Sequence, residues 1–393
     1  MRLLAVILFL VAAATAGRGA TLPRYLVAWG METKGYPGDQ AGHDFLAVFD
    51  IGDPEHFGRL VAMLPVATRS QMAHHANYEI PPNGMLFAND FMAAHSYLFD
   101  LRDPLKPRVA SSFGDAGPYT HPHSFAYLSN GHTLATYQQK GADDAAAGAL
   151  VELDGNGGVV RSSDASDATV EPFIRPYSLQ VLEKLDRVVT TSADMMPSDK
   201  SSHVVQVWRL SDLKLIKTVV LPKPARYKGV AGEDADEARV LTDGKTVLVQ
   251  TGRCGLYKLN GIAGTEPTAQ FVYDLGYRAC PGVPVVIGNY WIEPSMSGHC
   301  ITALDVRDPS HPVEVSRLVL DGDAYPHWLS REPGGNRIVI TGFGSILNRI
   351  SFATIDPQTG ALKLEKRTID FNRKWPDGWN GPAVPHAALL YAR

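Results

Sequence analysis

Cysteine is scarce in this chain: Cys254, Cys280 and Cys300 are the only three among 393 residues, and no CxxC pair occurs. That excludes a disulfide framework and a thiolate zinc site. One disulfide would suit an oxidising compartment, and the spacing leaves open which pair would form it. An excess of charge of one sign is missing too. The 37 basic and 41 acidic residues give a formal net charge of -4, with no long Lys/Arg run. Such a balance removes the electrostatic basis for a nucleic-acid partner or an anionic membrane surface. No long window carries apolar residues at i, i+3, i+4 and i+7, which argues against a helical solenoid. GxSxG, a Walker loop, HExxH and a dinucleotide fingerprint are all lacking, so the reactions that depend on those local geometries are not encoded in their usual form.

Long apolar runs are confined to the start of the chain. Met1-Arg2 leads into the apolar stretch Leu3 to Ala14, followed by the small residues Ala14-Thr15-Ala16. Basic start, apolar centre and small-residue end match a secretory signal peptide. The run is too short for a spanning helix, which needs roughly 20 apolar residues. Residues 1-20 are therefore expected to be a signal peptide, and 21-393 one domain in the periplasm or outside the cell, with no membrane span after cleavage.

What the sequence does contain is a repeat. Phe-Asp-Ile-Gly-Asp-Pro at 49 to 54 returns as Phe-Asp-Leu-Arg-Asp-Pro at 99 to 104 and as Leu-Asp-Val-Arg-Asp-Pro at 304 to 309. Weaker copies start at Val151, Trp208, Tyr257 and Thr354, making seven at a spacing of about 47 to 57 residues. A period of that size indicates blades, solenoids or arrays. Asp followed by Pro suits a strand end, because the carboxylate caps the turn and Pro stops the strand. Ahead of each copy lies a second hairpin marked by Asn or Gly, as in Pro82-Asn83-Gly84, Ser129-Asn130-Gly131 and Asp243-Gly244. Four strands per repeat is a propeller blade. The reading is all-β: a seven-bladed β-propeller, closed by pairing of the N-terminal strand near Arg24 to Trp29 with a C-terminal strand at Ala387 to Tyr391.

Counting back from the hairpins places the starts of the innermost strands at His74-His75, His121-Pro122-His123, Arg175-Pro176-Tyr177, Asp236-Glu237, Cys280-Pro281-Gly282, Tyr325-Pro326-His327 and Val384-Pro385-His386. Four of the seven carry histidine, out of 13 in the chain. Imidazoles converging from rigid strands without cysteine suit Zn, Cu, Fe or Ni, so His74, His75, His123, His327 and His386 are the metal-ligand candidates at the channel mouth. Adjacent strand residues point to opposite sides, which favours one of His74 and His75 over both. His327 could instead orient a ligand from behind. His43, His95, His203 and His299, farther from the axis, read as rim or structural histidines. Glu237 is the single glutamate in this register and the candidate catalytic residue, placed to orient an imidazole or take a proton.

His74-His75, Thr120 to Ser124, Ser201-Ser202-His203 through Trp208, Glu237-Ala238-Arg239-Val240, Ser297-Gly298-His299 and Gly381-Pro382-Ala383 leading to His386 together resemble the selenium-binding protein and methanethiol oxidase family. The resemblance spans most of the chain in matching order. It implies a seven-bladed propeller and, for the oxidases, copper-dependent conversion of methanethiol and oxygen to formaldehyde, hydrogen sulfide and hydrogen peroxide. The family's histidine positions fall on His74, His75, His123 and His386. The chain departs from the pattern in having no cysteine between Ala76 and Met85, which tells against selenium attachment there, and in having His327 where the family pattern has glutamine. The expectation is a metal-dependent oxidoreductase, copper foremost with iron or zinc as alternatives, acting on a small thiol or sulfur compound. The competing reading is a non-catalytic periplasmic propeller that binds metal or ligand, because propellers host many unrelated functions.

Overall fold

Alternation of apolar and polar residues at the outer edges, and unbroken apolar runs further in, sort the strands into layers. The outermost strands alternate: Val313–Val319 is exposed and half-buried by turns. The middle strands, such as Asp44–Asp50 and His95–Asp100, are buried almost throughout. A computed structural model describes residues 25–33, 42–143, 146–170, 173–196, 202–224, 234–342 and 348–391. The expected signal peptide, 1–20, lies outside them. Among the described residues the chain is all-β, with a single 3-10 turn, Glu183–Leu185.

The sheets are antiparallel meanders. Among the described residues five are four-stranded, eight further strands form one sheet in which two meanders meet through the pair Ser192 and Ala235, and Arg373–Lys374 pairs with Asn380–Gly381 in a two-stranded ribbon. Each meander has a strand at its inner edge: Ala73–Ala76, Tyr119–Tyr127, Pro176–Leu182, Ala235–Val240, Val285–Ile287, Pro326–Arg331 and Ala383–Tyr391. The last of these pairs antiparallel with Tyr25–Glu32, from Tyr25 opposite Tyr391 to Glu32 opposite Ala383. It starts four residues earlier than expected from the sequence and so carries His386 within the strand. The apolar core is divided into slabs between neighbouring sheets. One such slab joins Trp29, Leu46 and Val48 to Leu86 and Phe99, and another joins Phe87 and Leu98 to Tyr137 and Leu150's neighbour Val151.

The Asp-Pro copies close hairpins as their chemistry requires. Asp50 Oδ1 accepts from the backbone N–H of Gly52 at 3.1 Å, and Asp305 Oδ1 from that of Arg307 at 3.0 Å. Gly84 takes φ +75°, a left-handed value that favours glycine at this turn. Of the three cysteines, Cys254 and Cys280 form a disulfide and Cys300 is free and buried. The bridge ties the turn at Cys254 to the chain segment entering the next inner strand.

Candidate metal centre

The inner strands are bulged at the histidines. In Ala73–Ala76, Ala73 lies opposite Asp90 and Ala76 opposite Ala88. Three steps on one strand face two on the other, so one residue is extra. His74 and His75 therefore do not point to opposite faces. Their rings stack, with centroids 4.4 Å apart and planes at 24°. Strict alternation, which favoured one of the two, is overridden here by the bulge. The same slip recurs between Pro122 and Phe125 and between Pro326 and Trp328.

A bulge leaves a ladder N–H without its usual partner, and here side chains of the adjoining strand take the role. The backbone N–H of His75 donates to Asn89 Oδ1 at 2.7 Å, and Asn89 Nδ2 donates to the Pro122 carbonyl of the next inner strand at 2.6 Å. Thr136 accepts from the Ser124 N–H at 3.1 Å and donates to the Tyr177 carbonyl at 2.7 Å. Thr191 repeats the arrangement between Ser178 and Asp236, at 2.9 and 2.6 Å. Asn89, Thr136 and Thr191 hold the inner-strand backbone at and beside the histidines, and the sequence reading missed them. Each is a buried polar residue of the second strand of its meander, and the sequence offers no signal that singles it out from the other polar residues there.

All five candidate histidines meet in one cluster. Centroid separations are 4.1 Å for His74 and His386, 4.2 Å for His75 and His123, 5.0 Å for His74 and His123, and 4.7 Å for His327 and His386. The ligand nitrogens of His74, His75 and His386 all lie within 4.8 Å of one another. Each of the five is at most 5% exposed, so the centre is enclosed rather than open at a channel mouth as the sequence suggested. His121 stays outside: its ring lies against Phe91 and its Nδ1 is 2.9 Å from the Thr120 hydroxyl. Two rim histidines are held by local bonds, His43 Nδ1 donating to the Val66 carbonyl at 2.8 Å and His299 Nδ1 to that of Ala324 at 2.9 Å.

Burial keeps the cluster neutral. It pushes His123 down to about 3 and His327 down to about 4. His74, His75 and His386 are pushed well below the ordinary imidazole range by burial first and by the neighbouring imidazoles second. Tautomers follow from the surroundings. His123 Nδ1 faces the Tyr177 carbonyl at 2.9 Å, which can only accept, so Nδ1 carries the proton and Nε2 a lone pair. His75 Nδ1 contacts Ser124 Oγ at 2.9 Å. Nε2 of His75, Nε2 of His123 and Nδ1 of His74 are buried without a hydrogen-bond partner. Buried polar atoms are normally paired, and three neutral imidazole nitrogens left without partners within one histidine cluster fit a transition-metal ion.

Glu237 sits beside this cluster rather than in it. Its Oε2 accepts from Ser178 at 2.7 Å, Tyr78 at 3.1 Å and Arg239 at 2.6 Å, and burial raises its carboxyl. Its link to the imidazoles runs through Tyr78, whose hydroxyl lies 3.4 Å from the Ser124 Oγ that His75 and His123 share.

Fold and site together define a β-propeller with an enclosed polyhistidine centre. The chain is similar in structure to a hypothetical selenium-binding protein from Sulfolobus tokodaii, with a TM-score of 0.76, 13% identity and 94% of each chain covered. It is similar to the periplasmic gluconolactonase PpgL of Pseudomonas aeruginosa, at 0.65 and 13%, covering 93% of this chain and 98% of that one. The β-propeller domain of Myceliophteria thermophila Cps50 (Swd1) matches at 0.56 and 10%, covering 80% and 91%. Identities this low carry the fold alone. No protein-family description and no curated protein matches the sequence.

Proposed function

We propose that the chain is a closed seven-bladed propeller whose buried histidines hold a copper ion, and that the loaded protein oxidises a small thiol or sulfur compound with oxygen. Closure is supported by contacts between the inner strands of successive meanders, which run around in order and return from Ala383–Tyr391 to Ala73–Ala76. The observation that carries the metal is the set of neutral, buried imidazoles with three unpartnered nitrogens. His74, His75 and His386 form the tightest set, with His123 and His327 beside them. Bound copper supplies one-electron chemistry toward oxygen and sulfur, which no side chain here provides. The chain's own part is to hold five imidazoles neutral, to fix the tautomer of His123 through the Tyr177 carbonyl, to orient His75 through Ser124, and to exclude bulk water. The resemblance in sequence to the selenium-binding protein and methanethiol oxidase family favours copper over iron or zinc. The Cys254–Cys280 disulfide and the N-terminal pattern support export, since disulfides persist in oxidising compartments.

A second reading, metal binding without catalysis, is favoured by the enclosure of the centre. One experiment separates the two. Metal analysis of the purified protein is paired with oxygen uptake on methanethiol, for the wild type and for His75→Ala combined with His386→Ala. Copper with turnover, both lost in the variant, supports the oxidase. Copper without turnover on small thiols supports the binding protein, and metal retained by the variant refutes the site.

A further inference from the structure

The histidine centre is enclosed, yet aromatic rings run from it toward the surface. His75 meets Trp328 edge to face, with centroids 5.1 Å apart and planes at 85°, and His386 meets the same indole at 5.9 Å. Trp328 in turn stacks on Tyr78 at 5.7 Å and 18°. Separations of this size are those of rings in contact. Tyr78 is half-buried and borders a cavity of about 630 Å³, whose wall includes Phe125 and Leu329, residues that follow the histidines along the same strands. Glu79, Pro82, Thr242 and Arg331 line the cavity and are exposed, which puts its opening in solvent. Two rings, Trp328 and Tyr78, thus connect the imidazoles to a space that small molecules can enter.

The two rings are furnished differently. Trp328 is fully buried, and its indole Nε1 has no hydrogen-bond partner among the described residues. A buried donor left unpaired costs about 1–3 kcal/mol, a cost that phenylalanine would avoid, so packing alone does not account for an indole at this position. Indole and phenol are the aromatic side chains that give up an electron most readily. With no acceptor for its N–H proton, an indole that has lost an electron stays a radical cation and draws an electron from a neighbour. Tyr78 is that neighbour, and it does have an acceptor. Its hydroxyl donates to Glu237 Oε2 at 3.1 Å, within reach for proton transfer. The Arg239 guanidinium lies over the Tyr78 ring at 4.1 Å, and a cation there opposes loss of an electron unless the phenolic proton leaves with it. Glu237 is fixed to receive that proton by its bonds from Ser178 at 2.7 Å and from Arg239 at 2.6 Å.

We infer that Trp328 and Tyr78 form a one-electron relay between the histidine centre and a small organic thiolate in the cavity. The relay rests on the metal reading of the centre, the oxidant being an oxidised transition-metal ion held by the histidines. Trp328 gives one electron to that ion and recovers it from Tyr78, whose phenolic proton passes to Glu237. Tyr78 then takes one electron from the thiolate, which leaves as a thiyl radical, and its proton returns from Glu237. The sum is one electron moved from thiolate to ion, with each proton back in place, and the thiol never has to reach the enclosed imidazoles.

The test uses the full-length protein in two forms. Chelator-treated protein, photo-oxidised by ruthenium tris(bipyridine) with persulfate and frozen, should show a tyrosyl signal in electron paramagnetic resonance, and a nitroso spin trap should mark residue 78 in peptide mapping. Tyr78→Phe should replace that site's signal with that of a tryptophan radical cation, and adding Trp328→Phe should remove it. Glu237→Gln should move the signal from Tyr78 to Trp328. An unmarked residue 78 in the wild type, or a tryptophan signal that survives Trp328→Phe, would overturn the relay. In copper-loaded protein, hydrogen peroxide should raise the same radicals with the same response to substitution. A copper resonance without a radical at 78 or 328 would overturn the inference as well. No copper resonance, in protein that passes the photo-oxidation test, would sink the metal reading and leave the relay standing.

Discussion

Replacing His123 with asparagine in the metal-free protein should cost less stability at pH 5 than at pH 7.5, by about 2 kcal/mol. In an unfolded chain an imidazole titrates near 6.5. In the folded protein burial holds His123 down to about 3, against the opposing pull of its bond to Tyr177. Between those values the unfolded state binds a proton that the folded state refuses. The stability linked to this residue is thus full above pH 6.5 and drains away as pH falls toward 3. At pH 5 the gap from 6.5 is about 1.5 pH units, which at 1.36 kcal/mol per unit gives about 2 kcal/mol. Asparagine can still donate toward the Tyr177 carbonyl, so the hydrogen bond contributes little to the difference. Glu32, Asp44 and Asp234, raised by burial to about 7, 6 and 6, act in the opposite sense. They stabilise the fold as pH drops through those values, and being common to both proteins they cancel. Urea unfolding of wild type and variant at the two pH values, with chelator present, gives the number. A destabilisation that is the same at both pH values would show that His123 is not held neutral by burial, and the electrostatic account of the cluster would fail.

Copper or zinc at a hundred times its dissociation constant should raise unfolding free energy by about 2.7 kcal/mol, and differential scanning calorimetry should show no such gain for His75→Ala with His386→Ala. Asn89→Ala leaves the His75 N–H and the Pro122 carbonyl without partners, which at about 1–3 kcal/mol each amounts to a loss of several kcal/mol. The same variant should bind copper more weakly in a fluorescence titration, whereas an unchanged affinity would mean that the bulge does not position the ligands. Cys254→Ser with Cys280→Ser opens a loop whose ends are 26 residues apart, for which chain entropy predicts a loss of about 3.5 kcal/mol. Metal content should be unaffected, because neither sulfur belongs to the histidine cluster.

Much of the fold is legible in local chemistry. Asp-Pro closes a hairpin wherever it stands, so the repeat at 49, 99 and 304 could be read without knowing which strands pair. The five histidines were likewise found by register, because an inner strand always begins the same number of strands before its Asp-Pro turn. What resisted reading depends on pairs of distant residues. Whether His74 and His75 share a face is decided by the offset of Ala73 and Ala76 against Asp90 and Ala88, and nothing in the His-His dipeptide encodes that offset. Enclosure of the site was equally hidden, since it arises from rings contributed by strands as far apart as Ala73–Ala76 and Ala383–Tyr391. Cys254 and Cys280 meet because a turn and a strand entry face each other across two meanders, a relation their spacing does not specify. Glu237 was correctly placed on an inner strand, but its partner Arg239, two residues on, draws it into the layer beneath the imidazoles.

The strand Ala383–Tyr391 has two duties: it hydrogen-bonds to Tyr25–Glu32 and it carries His386. One strand thus supplies both the partner of the first described strand and one corner of the tightest imidazole set. A metal ion meeting a chain in which this strand has not yet paired with Tyr25–Glu32 would find the centre a ligand short, so tight capture has to wait for that pairing. Metal retention would in this way report that the first described strand and Ala383–Tyr391 have met, and molecules in which they have not would be left empty as well as loosely folded.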